Sequence, residues 1–206
     1  MLAVVDYGAG NLRSVLRALA SVGAEPVVVA DPDAVLRADA LVFPGVGAAG
    51  SAMRRLREQG LDEAIREFHR SGRPVLGVCL GLQLLFEWSE EDGGTPGLGL
   101  FPGQVRRFPN GLKVPHMGWN RVRVRQEHPL FAGIPDGTYF YFVHSYYAEP
   151  ADPTVVVGTT DYGVEFASVV GRDRLVATQF HPEKSSRWGL AVYANFLRKF
   201  VGLRCC

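Results

Sequence analysis

One stretch constrains the fold more than any other. Pro74-Val75-Leu76-Gly77-Val78-Cys79-Leu80-Gly81-Leu82-Gln83-Leu84-Leu85-Phe86 runs as an apolar strand up to the cysteine and takes up a helical pattern directly after it. Gly77 and Gly81 stand two residues before and two after Cys79. That is the spacing of a nucleophile elbow, a sharp strand-to-helix turn that lifts one reactive side chain. The flanking residues are glycines because the turn brings their backbones together where a Cβ would clash. A thiol in that place sits at a helix N-terminus, whose partial positive charge favours thiolate over thiol. The amide of Leu80 is then free to donate to an oxyanion. A buried cysteine at a glycine-rich strand end is the plain alternative.

The rest of the first half fits the same architecture. Residues 2–6 form an apolar run, and 11–22 carry Leu12, Val15, Leu16 and Leu19 on one helical face. Residues 26–30 and 40–44 read as strands, with too short a segment between them for much helix. Helical patterns cover 48–59 and 61–70, and 74–79 is the next strand. This β-α-β rhythm predicts an α/β fold with a mostly parallel central sheet and helices on both faces. After about residue 98 the runs shorten. Residues 121–125 alternate with period two, 139–147, 155–159, 166–170 and 175–180 are strand candidates, and 188–200 close as an amphipathic helix. The second half is therefore expected to be rich in antiparallel strands, with residues 1–206 forming one domain.

Charge and composition exclude several roles. Twenty-two basic residues face 21 acidic ones, for a net charge of +1, which argues against an electrostatic nucleic-acid binder or a protein held by anionic lipid. The longest uncharged apolar stretch, 74–86, is 13 residues, against the ~20 a membrane helix needs. Of the three cysteines, Cys205 and Cys206 close the chain and suggest no role, and no paired framework can be written. With no basic leader before Asp6, the expected setting is the cytoplasm. Gly8-Ala9-Gly10 after the first strand resembles the start of a dinucleotide fingerprint, but the third glycine is absent because position 13 is Arg.

A thiolate nucleophile needs a base. His69, His116, His128, His144 and His181 are the candidates. His181-Pro182-Glu183 stands out because it ends an apolar strand. A residue before proline is held extended, and in an extended segment i and i+2 project to the same side, so Glu183 can hold one imidazole nitrogen while the other faces Cys79. That is the orienting logic of a triad. A second oxyanion donor is expected from Phe43-Pro44-Gly45-Val46-Gly47, whose amides near Gly45 and Val46 follow another strand; a plain turn is the alternative there.

Together these residues resemble a family. The Gly-x-Cys-x-Gly-x-Gln elbow, the Pro44-Gly45-Val46-Gly47 loop and the late His-Pro-Glu are similar to those of the class I (triad) glutamine amidotransferases. The acid follows the histidine, unlike the order of the α/β-hydrolases. Within the family, Asp6-Tyr7-Gly8-Ala9-Gly10-Asn11-Leu12, Pro115-His116-Met117-Gly118-Trp119-Asn120, Tyr141-Phe142-Val143-His144-Ser145-Tyr146 and His181-Pro182-Glu183-Lys184-Ser185 resemble the branch of glutaminase subunits that serve imidazole glycerol phosphate synthases.

The resemblance implies hydrolysis of glutamine to glutamate and ammonia through a Cys79 thioester, with no cofactor and no metal. Glutamine contacts are implied for Gln83 and Glu91 and for backbone at Gly47, Ser145 and Tyr146. It also implies a (β/α)8-barrel cyclase as partner, taking ammonia past Asn11, Trp119, Tyr141 and Lys184 into histidine biosynthesis. Plain surface roles remain open for Gln83, Glu91, Tyr141 and Lys184. Other functions also stay open: a glutaminase serving another synthase, a stand-alone cysteine hydrolase of esters or lactones, and an inactive binding module.

Overall fold

Leu2-Ala3-Val4-Val5 has every side chain buried, which only a strand covered on both faces can satisfy. The computed structural model describes residues 1–8 and 12–203, and in it this run is β1 (Leu2–Val5). There follow α1 (Leu12–Ser21), β2 (Pro26–Val29), α2 (Pro32–Arg37), β3 (Ala40–Gly45), α3 (Ala49–Glu58), α4 (Leu61–Arg70), β4 (Val75–Cys79) and α5 (Leu80–Leu84). Then come β5 (Phe86–Ser89), β6 (Thr95–Pro96), β7 (Phe101–Arg107), β8 (His116–Arg121), β9 (Arg123–Val124), β10 (Tyr139–His144) and β11 (Tyr146–Pro150). The chain closes with β12 (Val156–Asp161), β13 (Glu165–Arg172), β14 (Leu175–Thr178) and α6 (Ser186–Phe196), which runs on into a π-helical turn.

Among the described residues, β2-β1-β3-β4-β14 form the parallel half of a 12-stranded sheet, which continues through β13, β11, β7, β5 and β6. The pairs β14–β13, β13–β11 and β11–β7 are antiparallel. A separate 2-stranded sheet pairs β10 with β8. The period-two alternation of β1 divides the core. Ala3 and Val5 pack with Met53, Leu56, Ile65 and Phe68 of α3 and α4, whereas Leu2 and Val4 pack with Val15 and Leu19 of α1 and Val192 and Phe196 of α6. Each large apolar side chain so buried contributes roughly 1.5–3 kcal/mol. The expected α/β fold, parallel in the centre and antiparallel in the second half, is what forms. No helix among the described residues is long and apolar enough to cross a membrane.

Four local expectations need correction. The helix after the elbow is only Leu80–Leu84, because amides of the 98–101 segment donate to the carbonyls of Leu84, Leu85 and Phe86 and take the acceptors a longer helix would use. The interval between the second and third strands does hold a helix: Asp31 caps α2 by accepting from Ala34 N, and Pro32 opens it. The alternating run 121–125 is divided, since buried Val122 donates to Thr138 O between β8 and β9. The run 139–147 is likewise two strands in different sheets, broken at Ser145, whose carbonyl accepts from Phe108 N. That last break places residues 145 and 146 beside the elbow.

Candidate active site

The carboxyl ends of the parallel strands converge, as they do where open α/β sheets bind their ligands. β3 pairs with β4 so that Gly45 lies opposite Cys79, and β14 leads through Gln179 and Phe180 to His181. Cys79 has φ 55° and ψ −109°, a strained conformation that neighbouring packing must enforce. Glycines allow that packing. A Cβ on Gly81 would stand 1.9 Å from the Phe43 carbonyl oxygen, and one on Gly77 would stand 3.0 Å from Ala177 Cβ and 3.2 Å from the Gly81 carbonyl carbon.

His181 is pinned through its backbone. Its amide donates to Tyr141 O at 2.9 Å, and its carbonyl accepts from Ser185 Oγ at 2.6 Å. Ser185 Oγ in turn accepts from Tyr141 N at 2.9 Å. The extended path expected for residues 181–183 is not the one taken. His181 itself is extended, but Pro182–Lys184 is a 3-10 turn closed by Lys184 N and Ser185 N, which donate to His181 O and Pro182 O, each at 3.0 Å. Glu183 still reaches the ring, its Oε1 2.8 Å from Nδ1, and both side chains are only 2% exposed. Glu183 Oε2 accepts from the Tyr193 hydroxyl at 3.3 Å. Nδ1–H is thereby committed to the carboxylate, and buried Nε2 has no hydrogen-bond partner among the described residues.

His181 and Cys79 both line a cavity of about 260 Å³. Burial lowers the basicity of His181, but a charge on Cys79 and the Glu183 carboxylate outweigh it and raise the pKa to about 10. The arrangement lets the ring take the proton of the sulfur and hand it on to a leaving group while Nδ1 stays with Glu183.

The cavity brings together most of the remaining candidates. Val46, Gly47, Leu80, Gln83, Glu91, Ser145, Tyr146 and Lys184 all line it. Gly45 does not, lying instead against a small void behind the strand ends with Val46 and Glu183. Gln83 is buried, and its Nε2 donates both to Tyr146 O at 2.9 Å and to Gln179 Oε1 at 3.1 Å, which leaves only its Oε1 for a ligand. Glu91 Oε2 accepts from Ala49 N at 2.8 Å and so caps α3. Burial raises its pKa, the Ala49 amide opposes this, and Asp92 adds to it. Trp119 and Tyr141 stand outside the cavity, paired across the β8–β10 hairpin with rings 6.1 Å apart, and Lys184 Nζ lies 5.8 Å from the Tyr141 ring centre. Asn11, Cys205 and Cys206 lie outside the described residues.

Gln179 and the Tyr7 hydroxyl have no role in the sequence reading, and His144 enters it only as a candidate base. Gln179, fully buried, places Nε2 3.8 Å from Cys79 Sγ; the signal was a polar side chain inside an apolar strand two residues before His181. The Tyr7 hydroxyl is buried and without a hydrogen-bond partner among the described residues, and a Cβ on Gly45 would meet it at 2.2 Å. His144 lines the cavity and contacts His116, with His116 Nδ1 3.0 Å from His144 Nε2.

Burial lowers the pKa of His116 to about 4. Burial likewise takes His144 to about 3, opposed by its hydrogen bond with Tyr146 and reinforced by His116 and His181. An unfolded chain takes up these protons near the ordinary value of 6.5, the folded one only near 4 and below. The unfolded state therefore binds more protons in between, and stability is lost as pH falls through that window. The expected result is a thermal midpoint that drops between pH 6.5 and 4, less steeply in His116→Gln; a midpoint flat across the window would contradict it.

Comparison with known proteins adds an independent line. The family described as glutamine amidotransferase class-I matches residues 3–200. The chain is 53% identical over 202 residues to imidazole glycerol phosphate synthase subunit HisH of Dehalococcoides mccartyi (strain CBDB1), covering 98% of each chain. It is 55% identical over 195 residues to the subunit of the same name from Moorella thermoacetica, covering 95% of this chain and 93% of that one. Among solved structures, a glutamine amidotransferase superposes with TM-score 0.77 at 21% identity, covering 98% of this chain and 99% of that one. PurLQS from Thermotoga maritima gives TM-score 0.77 at 19% identity, over 96% and 97% of the two chains. At such identities the two structures speak for the fold.

Proposed function

The chain belongs to the class-I glutamine amidotransferase family, and on that premise we propose that it is the glutaminase subunit of an imidazole glycerol phosphate synthase, acting in histidine biosynthesis in the cytoplasm. The observation that carries the chemistry is the buried, unpartnered Nε2 of His181, whose ring lines the same cavity as Cys79 while Nδ1 is held by Glu183. The sulfur attacks the side-chain carboxamide carbon of glutamine, and the C–N bond breaks as the imidazolium gives its proton to the leaving nitrogen. Ammonia departs and a thioester remains. Neutral His181 then takes a proton from water, which attacks the thioester; glutamate leaves and the sulfur is regenerated. Glu183 fixes the tautomer and orientation of the ring throughout. The Leu80 amide and the peptide joining Gly45 and Val46 serve the oxyanion. Glutamine is held by Gln83 Oε1, Glu91 and the backbone at Gly47, Ser145 and Tyr146.

Ammonia released to water at neutral pH is mostly protonated and no longer nucleophilic, so a synthase needs it delivered directly. The cluster of exposed Trp119 and Lys184 with half-buried Tyr141 beside the cavity supports an exit there toward a cyclase subunit. The subunit names of the relatives support the same pairing. The test is glutamate release by the chain alone, with the cyclase subunit, and with the cyclase subunit and its aminoimidazole carboxamide ribonucleotide substrate. Release that requires the partner and rises with its nucleotide is expected. Full release without the partner, release only with the acceptor subunit of another synthase, or hydrolysis of esters in place of glutamine would each overturn the assignment.

A further inference from the structure

Two buried histidines beside the cavity are not used by this chemistry. His116 on β8 and His144 on β10 stand opposite each other in the hairpin register, and the hydrogen bonds around them run in one direction. A carbonyl only accepts, so the 2.7 Å contact between His144 Nδ1 and Tyr146 O places a proton on Nδ1. In a neutral ring Nε2 then accepts, and His116 Nδ1–H is its donor at 3.0 Å. His116 Nε2 accepts in turn from Asn120 Nδ2 at 3.2 Å. The Asn120 amide cannot be turned over, because Nδ2 also donates to Asp161 O at 2.8 Å and Oδ1 accepts from Arg121 N at 2.8 Å. Each proton of the chain is thus assigned by its neighbour. A proton added to His144 Nε2 would drive His116 to the tautomer whose Nε2–H confronts the Asn120 N–H.

The surroundings suit neutral rings. His116 is stacked between Phe142 at 5.0 Å and Tyr162 at 4.1 Å, and His144 packs on Phe108 and Phe166, each at 5.2 Å. At the inner end the Tyr146 carbonyl accepts from Gln83 as well as from His144, so two donors hold it. Gln83 continues to Gln179, and Gln179 to the Cys79 sulfur. One line of hydrogen bonds therefore joins the hairpin that displays Trp119 and Tyr141 to the wall of the cavity and the nucleophile.

We propose that His144, backed by His116, is a positioning residue for the substrate: it clamps the Tyr146 carbonyl, and through it the 145–146 backbone and Gln83, in the place where glutamine binds. This rests on the glutaminase reading given above. Loss of the clamp displaces the wall that holds substrate first, while Glu183 still holds the His181 ring and the close packing at Gly77 and Gly81 still fixes the Cys79 backbone, so it acts on KM more than on kcat.

The experiment is steady-state glutaminase kinetics of the chain in complex with its cyclase subunit, for the wild type, His144→Phe and His144→Asn. Phenylalanine keeps a ring without a donor; asparagine keeps an N–H near the position of Nδ1. His144→Phe is expected to raise KM for glutamine about tenfold, the scale of one buried hydrogen bond, with kcat little changed and with His144→Asn recovering most of the loss. Equal defects in the two variants, or a fall in kcat at unchanged KM, would overturn the proposal. Imidazole nitrogen-15 NMR of the wild-type chain at pH 7 supplies a readout that needs no activity. Both rings are expected as the Nδ1–H tautomer, and an Nε2–H tautomer on either would overturn the relay. A wild-type complex that releases no glutamate would refute the glutaminase reading, while the tautomers would still judge the relay.

Discussion

Cys79→Ala is expected to bring glutamate release down to background, a loss on the order of 10⁴- to 10⁶-fold, as for nucleophiles that act together with a base. The size of the effect follows from the geometry. In the proposed reaction Cys79 is the nucleophile that shares a cavity with His181, and without it the ring has no acyl carrier to serve. Direct attack of water would need a site for that water in place of sulfur, and the elbow is shaped to present one side chain. Alanine at position 79 adopts the same strained backbone as cysteine, since both carry a Cβ at φ 55°. The variant should therefore fold, with an unfolding midpoint close to that of the wild type. Glutamate release by the complex, read beside thermal unfolding, checks both halves. Residual turnover within about tenfold of the wild type would be incompatible with a covalent mechanism at this residue.

Gly81→Ala should have the largest effect on stability, about 4 kcal/mol or more, at the upper end of what one substitution does. The new Cβ would lie 1.9 Å from the Phe43 carbonyl oxygen, a main-chain atom that cannot swing aside. Relief requires α5 to move away from β3, and that motion opens the register in which Gly45 opposes Cys79. Gly77→Ala makes the useful contrast. Its Cβ meets Ala177 Cβ and Leu85 Cδ1 at 3.0 Å and the Gly81 carbonyl carbon at 3.2 Å, where shifts of a few tenths of an ångström give relief, so about 1–3 kcal/mol is expected. Chemical denaturation of the two variants checks the order. A Gly81→Ala protein within about 1 kcal/mol of the wild type would show that the elbow tolerates a Cβ at this position.

The elbow was legible because its demands are local. Two glycines, one cysteine and a change of periodicity all fall within five residues of one another. His181 and Glu183 were legible for the same reason, although the route between them was not: closure of the 3-10 turn depends on Ser185 and its bond to the β10 strand. The helix after Cys79 looked longer than it is because the amides that end it arrive from residues 98–101. Ser145 interrupts what reads as one strand because β7 and β8 draw the two halves of that run into different sheets. The two histidines are 28 residues apart, and Gln83 and Gln179 are 96 apart, so no periodicity brings either pair together. α2 is the reverse case, with its Asp31-Pro32 start signal present in the chain and outweighed by the short interval between strands.

The claim that Cys79, and no other residue, forms the acyl intermediate is tested most directly with a chloroketone analogue of glutamine, which alkylates the group that would otherwise attack the carboxamide. The complex is treated with the analogue, digested and mapped by mass spectrometry, with glutamine present or absent. One label per chain is expected on the peptide carrying Cys79, with protection by glutamine and loss of glutamate release in proportion to labelling. Label on another residue, or glutaminase activity that survives full modification of Cys79, would contradict it.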